Sequence, residues 1–385
     1  MIFVATGCTS LTQKSNDSLI SYKQRDFENA DVGFSKLLDK NPGLKNRVWL
    51  LLDRGMSRFA NGHYKMAALD FQNAIESSDL SLQKPLFEQM TSTVIDERLS
   101  VYTPSYVERI YSYFFCALSL LKQNDISNAI AVLKSAHELE IVEEEKSKNT
   151  HFFTGFIPHV NTAGNELLSN LLRLQDDLSN VNQLDQKVKD SGFASCFEKQ
   201  KVVLYVFRKP MPAKVTLEIP AIKTSLYVLE MIIKHKAPMS ILPLLPSVKV
   251  PSYPPIHHST PSSLKLGNKH IKSQRLASID RQCESYLNLM QPTLVAKEVA
   301  KYLLQRTTVN VIHNNNKSAL ADLGFFIMNM TSKPDLRSWQ TLPTAIDTTQ
   351  LPLPVGDYTL SIKDDDIHFS IKDGQTTFLI YFEET

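Results

Sequence analysis

The first half of the chain carries apolar residues at helical spacing, and one such pattern occurs twice. Each copy has an aromatic residue, an alanine three positions later and a second aromatic residue four positions after that, and the copies lie 37 residues apart. Large and small residues arranged in this way let paired helices approach closely. We therefore predict that six residues pack between neighbouring helices, namely Phe27, Ala30, Phe34, Tyr64, Ala67 and Phe71.

A third, divergent copy follows an insertion. A helix predicted at 106–122 precedes a second helix in which Ile126, Ala129 and Leu133 take the places of the repeated residues. Helical spacing returns at 166–189, which we interpret as a capping helix or a half-formed fourth unit. These helix pairs resemble tetratricopeptide repeats, and the resemblance implies a scaffold whose groove binds an extended or helical segment of another protein.

The second half of the chain changes to strand-like alternation. In the segment 201–207, Val203, Tyr205 and Phe207 face one way and the residues between them face the other. A short Pro-containing turn leads to a second run at 215–219, and the two runs predict a hairpin. Further strands are expected at 247–253, 358–363, 367–372 and 376–382, with hairpin turns between the last three, and helices at 294–305 and 318–330.

Composition divides the chain at the same place. Most of the 19 prolines fall from Pro210 onward, where the helical pattern ends. The predicted fold class is α+β, with N-terminal all-α tetratricopeptide-like repeats followed by a mixed α+β domain with antiparallel strands. We predict a truncated signal and tether at 1–17, a repeat domain at 18–190 and the mixed domain at 200–385.

The N-terminus has a short apolar stretch that ends in small residues and Cys8, followed by a polar run. This order resembles the lipobox of bacterial lipoproteins, in which the cysteine thiol becomes a diacylglycerol thioether. The resemblance implies a lipid anchor on Cys8 and, because Thr9 is not an aspartate, an outer-membrane position facing the periplasm. The apolar stretch, Met1 to Ala5, is shorter than a complete signal, so the alternatives are a start further upstream and a cytosolic protein with an ordinary cysteine.

Two motifs mark the C-terminal part of the chain. They are D-x-R-S-W-x-x-L-P, from Asp335 to Pro343, and L-P-x-G-x-Y-x-L, from Leu353 to Leu360. Both resemble segments of a family of bacterial lipoproteins with N-terminal tetratricopeptide repeats and no assigned biochemistry, so the resemblance implies localisation and architecture only. The chain departs from the family pattern twice, because 346–350 lacks a basic residue and Val355 replaces a proline.

Asp335, Arg337 and Trp339 form the most pointed constellation of side chains. Tryptophan and arginine are over-represented in binding hot spots, which favours an exposed recognition corner. The structural alternative places Trp339 in the core and pairs Asp335 with Arg337. The two alternatives differ in whether the indole ring is exposed or buried.

Motifs for catalysis and cofactor binding are missing from the sequence. It has no G-x-G or G-x-x-x-x-G-K run and no G-x-S-x-G elbow, and His137-Glu138 is not followed by the second histidine of a zinc protease. A formal net charge of +2 gives no reason to expect nucleic acid as a partner. We therefore expect no catalytic residue, no metal and no cofactor.

Three cysteines remain if Cys8 is lipidated. Cys116 lies in an apolar helical segment and is expected to be a core residue. Cys196 and Cys283 have no metal-binding spacing, and a disulfide between them in an oxidising compartment is an open alternative to two free thiols.

A basic cluster within 265–275 is interpreted as a solvated loop, with contact to anionic lipid headgroups or cell-wall polymer as the alternative.

The leading functional hypothesis is a non-enzymatic envelope lipoprotein that binds a protein partner on its helical groove and contacts the membrane through its lipid anchor only. The first rival is a module in 200–385 that binds or acts on cell-wall glycan, which a pocket grouping His313, Asp335 and Arg337 would favour. The second rival is a cytosolic tetratricopeptide adaptor.

Overall fold

The computed structural model describes residues 14–82, 101–149, 156–196, 198–227, 247–256, 260–316 and 334–383. It confirms a mixed fold with an N-terminal helical region and C-terminal sheets that are mostly antiparallel. Cys8 and the helix predicted at 318–330 lie outside the described residues. The N-terminal helices are α1 (Asn16–Lys23), α2 (Phe27–Lys40), α3 (Leu44–Ala60), α4 (Tyr64–Leu82), α5 (Tyr106–Leu121), α6 (Ile126–Asn149), α7 (Thr162–Leu174) and α8 (Val181–Asp190).

The N-terminal helices are joined in pairs by turns of one kind. After α1, α3, α5 and α7 the chain passes through a residue with positive φ, at Arg25, Gly62, Asn124 and Asp176 respectively. The backbone N–H of the next residue then donates to the carbonyl five positions earlier, at 2.8 to 3.0 Å, as in a Schellman motif. The turn after α7 also divides the single helix predicted at 166–189 into two.

The strands form a central sheet with an outer sheet beside it. The central sheet has the order β10-β1-β7-β6 and the outer sheet the order β5-β4-β8-β9, while β2 and β3 form a separate ribbon. The elements are β1 (Lys201–Phe207), β2 (Val215–Ile219), β3 (Val248–Ser252), β4 (Ser263–Leu266), β5 (Lys269–Lys272), β6 (Gln274–Ser278), α9 (Ile279–Asn316), β7 (Ala345–Pro352), β8 (Gly356–Ile362), β9 (Asp365–Ile371) and β10 (Thr376–Phe382).

Strand β1 is buried on both faces, as its two apolar faces predict. Val203, Tyr205 and Phe207 join a core shared with the helices. The residues between them join a second core, which the outer sheet completes. The central sheet is therefore a middle layer, with helices on one side and the outer sheet on the other, because only a middle position covers both faces of such a strand.

Helices α5 and α7 are also covered on almost every side. In α5, 14 of the 16 residues are buried, and most of α7 is buried too. The sequence from Tyr111 to Leu121 is apolar around the whole helix, which is the pattern of a helix without a solvent face. Neighbouring helices cover one side of α5, and the central sheet covers the other.

Two of the predicted hairpins are wrong. β1 pairs with β7 and β10 and not with β2, which pairs with β3 instead. β10 does not pair with β9, and it crosses to the central sheet to lie parallel to β1. The hairpin of β8 and β9 is confirmed. Both errors involve apolar strands of the central sheet, because β1 and β10 each contribute side chains to the cores on both faces of that sheet, whatever turn residues adjoin them.

Helix α9 contains the helix predicted at 294–305 and is longer at both ends. It packs on the β2–β3 ribbon through a small separate core formed by Ile219, Val248, Val250, Val295 and Val299. This ribbon and helix therefore lie beside the three layers and add a local core of their own.

Candidate functional site

The helical layer and the C-terminal half meet in a cluster of aromatic rings. The ring of Phe115 lies 5.1 Å from that of Phe207 and 5.9 Å from that of Trp339, measured between centroids. Phe59 lies 6.0 Å from Phe207, and Phe71 lies 5.8 Å from Trp339. The chain's own C-terminal residues thus cover the face that α3 and α5 present.

The six residues predicted to pack between helices lie in or against this core. Ala30, Phe34, Ala67 and Phe71 are fully buried. Phe27 and Tyr64 are partly buried at its edge, where their rings lie 5.2 Å from Tyr22 and 5.6 Å from Phe59. The repeated aromatic and alanine positions therefore contribute to packing and leave none of these six side chains as an exposed binding group.

Arg337 ties the C-terminal half to the start of α3. Its guanidinium donates to both carboxylate oxygens of Asp335, with a closest distance of 2.6 Å. The same group donates to the backbone carbonyl of Lys45 at 2.9 Å and to Asn46 Oδ1 at 2.8 Å, and it lies over the ring of Tyr102. The side chain of Arg337 is buried, so its donors are engaged inside the protein.

Trp339 fills the core, as the structural alternative expected. Its side chain is only 1% exposed. The backbone N–H of Trp339 donates to Glu108 Oε1 at 2.9 Å, and its indole N–H donates to Thr341 Oγ1 at 3.0 Å. The sequence brought these C-terminal residues to notice, but it gave no sign of Glu108, a carboxylate inside the apolar helix α5 that holds the tryptophan backbone.

Asp53 accepts hydrogen bonds from Thr341, which lies two residues after Trp339 in the same loop. Its Oδ1 accepts from the backbone N–H and the hydroxyl of Thr341, at 3.0 and 2.8 Å. Its Oδ2 is buried and has no hydrogen-bond partner among the described residues. Burial raises the pKa of Asp53 from 3.8 to about 7, and the nearby charge of Glu108 adds to the increase while the bonds from Thr341 oppose it.

The raised pKa of Asp53 predicts a specific pH dependence of stability. Between the unfolded pKa of 3.8 and the folded pKa of about 7 the folded state binds more protons, so the contribution of Asp53 is greatest below pH 3.8 and is lost as pH rises through 7. At about 1.4 kcal/mol for each pKa unit, the loss amounts to a few kcal/mol. In Asp53→Asn this loss should be absent, and urea unfolding of both proteins from pH 4 to pH 8 measures it. Parallel pH profiles of wild type and variant would show that Asp53 titrates normally.

A second buried polar network joins α7 to the central sheet. Glu166 accepts from Tyr205 Oη at 2.7 Å and also from the side-chain amides of Asn170 and Gln350. The ammonium of Lys201 donates to Asn170 Oδ1 at 2.8 Å. Burial raises the pKa of Glu166 and lowers that of Lys201, and each group opposes the shift of the other. The sequence does mark the two charged members of this network, because each stands next to an apolar run. Glu166 precedes Leu167 and Leu168, and Lys201 precedes the apolar strand 202–207.

A cleft of about 340 Å³ opens beside this network. It is bounded by the segment 193–196 on one side and by β7 from Thr348 to Pro352 on the other. Cys196 reaches the cleft and is tied to the network, because its N–H donates to Gln350 Oε1 at 2.8 Å and its carbonyl accepts from Lys201. Thr348 and Thr349 also line the cleft, but their Oγ1 atoms are buried below its surface and have no partner among the described residues. This is the candidate binding site of the molecule.

Cys116, Cys196 and Cys283 are free thiols, so the alternative of a bridge between the last two is wrong. Burial raises the pKa of Cys116 to about 12 and raises that of Cys283 as well. Both thiols are therefore protonated and enclosed. Cys196 is the partly exposed one of the three.

The basic cluster predicted as a solvated loop is divided by the fold. Lys265, Lys269, His270 and Lys272 are exposed on the β4–β5 hairpin, in which β5 is an edge strand. Arg275 lies apart from them in the central sheet, where its guanidinium pairs with Asp347. Lysines on an edge strand discourage pairing with other chains, which accounts for this cluster without a ligand.

Within the described ranges, no three histidine, cysteine, aspartate or glutamate side chains come together to hold a metal ion. No described helix combines the length and apolar character needed to cross a membrane. The side chain of His313 is outside the described set, so its predicted grouping with Asp335 and Arg337 is untested.

Comparison with known proteins adds no relative. No model of a protein family matches the chain, and no curated protein matches it. The functional proposal therefore depends on the residues and contacts described above.

Proposed function

We propose that this protein is a non-enzymatic scaffold of the bacterial cell envelope that is anchored by a lipid on Cys8 and binds another protein. The lipobox-like sequence around Cys8 and the likeness of the C-terminal motifs to lipoproteins support the anchor. The proposed position is the periplasmic side of the outer membrane.

The non-enzymatic part of the proposal is supported by the buried charged groups, which form hydrogen bonds between the two halves of the chain. Arg337, Glu108, Asp53 and Glu166 each bond across the boundary between the helices and the C-terminal half. Catalytic acids and bases have shifted pKa values too, but they face a cleft in which a substrate can bind. Here the shifted pKa of Asp53 belongs to a group enclosed in the protein.

The proposed partner binds a solvent-facing surface, because the C-terminal half covers one face of the helical layer. The hydrophobic core is continuous across the two halves. A partner search therefore needs the full chain, since a fragment ending near residue 190 would expose the aromatic cluster to water.

The glycan-directed rival has less support. Asp335 and Arg337 are paired and directed at the helical layer, and neither lines the cleft beside β7. The two sheets enclose an apolar core between them. A cytosolic adaptor would share this fold and differ only in lacking the lipid.

Lipidation is tested by metabolic labelling with palmitate in cells that express the protein from its natural gene. We expect labelled protein in the membrane fraction, and loss of both label and membrane association in Cys8→Ser, because the thiol is the acylated atom. Cys196→Ser is the matched control and should keep its label. Equal labelling of wild type and Cys8→Ser would refute the anchor.

Protein binding is tested separately with the full chain, by photo-crosslinking in cells from several solvent-facing positions. The scaffold proposal expects a reproducible crosslinked protein from at least one position. Absence of crosslinked protein from every position, with the protein folded and abundant, would refute it.

A further inference from the structure

The central sheet has a free backbone edge along part of β7. Strand β6 pairs with β7 only from Ala345 to Thr348, whereas β1 pairs with it from Ile346 to Pro352 on the other side. Before β6 the chain turns away at Ser273, whose N–H donates to Ser262 O at 2.9 Å, and enters the outer sheet. No strand of the described ranges therefore covers the outer edge of residues 349–352.

This free edge forms one wall of the cleft described above. Four residues of strand extend over about 13 Å, at about 3.3 Å for each residue. The segment 193–196 forms the opposite wall, so the edge faces this slot of about 340 Å³. A strand edge of this length, in a slot open to solvent, can be reached by one extended chain.

The edge is held rigidly before anything binds. Gln350, in the middle of the free segment, bonds to Glu166 through its amide N–H and accepts from the Cys196 N–H. The ammonium of Lys201 donates to the Cys196 carbonyl, which fixes the opposite wall. A slot with both walls fixed loses little conformational entropy on binding.

We infer that this slot binds an extended segment of the partner protein as an additional β-strand, placed in line with β6 along the free edge of β7. The inference rests on the proposed scaffold function and names the site through which it acts. A peptide is the class that fits because the free edge presents backbone groups that another strand pairs with, namely the N–H and carbonyl of Gln350 and the carbonyl of Pro352. Lys272 is exposed and also lines the slot, which favours an acidic residue in the bound segment.

The experiment is a selection of random octapeptides, displayed on phage, against the folded full chain. The comparison protein is Ser195→Trp, which fills the slot from its 193–196 wall. We expect extended peptides with an acidic residue to be enriched on the wild type only. The best synthetic peptide should lose at least about tenfold in affinity when alternate backbone amides are N-methylated, because strand addition uses those N–H groups.

Leu69→Ala, on the exposed face of α4, is the matched control for Ser195→Trp and should bind the selected peptide as the wild type does. Equal enrichment on the wild type and Ser195→Trp, or unchanged affinity after N-methylation, would overturn the inference.

Two further results separate this inference from the proposed function. If crosslinking in cells finds a partner that Ser195→Trp retains, the scaffold proposal stands and the slot is not its site. Binding of an oligomer of N-acetylglucosamine that is lost in Ser195→Trp, without peptide enrichment, would overturn the peptide assignment and favour the glycan-directed rival.

Discussion

Replacing Trp339 with alanine is expected to lower the free energy of unfolding by about 3–5 kcal/mol. The indole ring is 1% exposed and packs against the rings of both Phe71 and Phe115, at 5.8 and 5.9 Å. Its removal leaves a cavity where the two halves of the chain meet, and the rigid helices on one side cannot close it. Urea unfolding monitored by far-ultraviolet circular dichroism measures the change, because Trp49 would still dominate the fluorescence of the variant.

Val355→Ala is the matched control for this substitution. Val355 is 60% exposed and lies between β7 and β8, so its truncation should change stability by no more than about 0.5 kcal/mol. Trp339→Phe should fall between the two, since it keeps an aromatic ring but loses the bond to Thr341. A Trp339→Ala protein as stable as Val355→Ala would mean that the halves are not joined through this core.

The elements of the fold were largely predictable because they are local. The repeated spacing around Ala30 and Ala67 indicated paired helices, and the two apolar faces of 201–207 indicated a strand covered on both sides. Strand pairing was not predictable in the same way. β10 lies about as far from β1 in sequence as the C-terminal half allows, and Asp373-Gly374 is a turn signal that says nothing about which sheet the next strand joins.

The candidate site shows the same division between local and distant information. The corner at Arg337 and Trp339 was visible in the sequence, but its role depends on Asn46 and Glu108, which are contributed by helices of the other half. The slot beside β7 was not visible at all. It exists because β6 begins opposite Thr348 and leaves 349–352 of β7 unpaired on that side, and a sequence pattern does not reveal where two strands of different length begin and end relative to each other.

The polar network under the slot yields the second large prediction. Lys201→Met should lower the free energy of unfolding by about 3 kcal/mol or more, because it removes the cation and leaves the Glu166 carboxyl buried among groups that favour its charge. Lys201 is 1% exposed, and its ammonium reaches Glu166 through Asn170. Methionine keeps most of the volume of the lysine stem, so the loss reports the charge and its hydrogen bonds more than packing. Urea unfolding at pH 7 measures it.

A second substitution identifies the cause of that loss. Adding Glu166→Gln to Lys201→Met should recover at least half of the lost stability, because the amide keeps hydrogen-bonding atoms near Tyr205 and Gln350 without a buried charge. Additive losses in the double variant would instead mean that the two groups act independently. Lys201 also donates to the Cys196 carbonyl, so the single variant Lys201→Met should loosen the slot wall and weaken binding of the selected peptide. The double variant should recover stability but keep this binding defect, because it does not restore the bond to Cys196. Stability and recognition would then separate at one lysine, as expected if the network both joins the layers and fixes the shape of the slot.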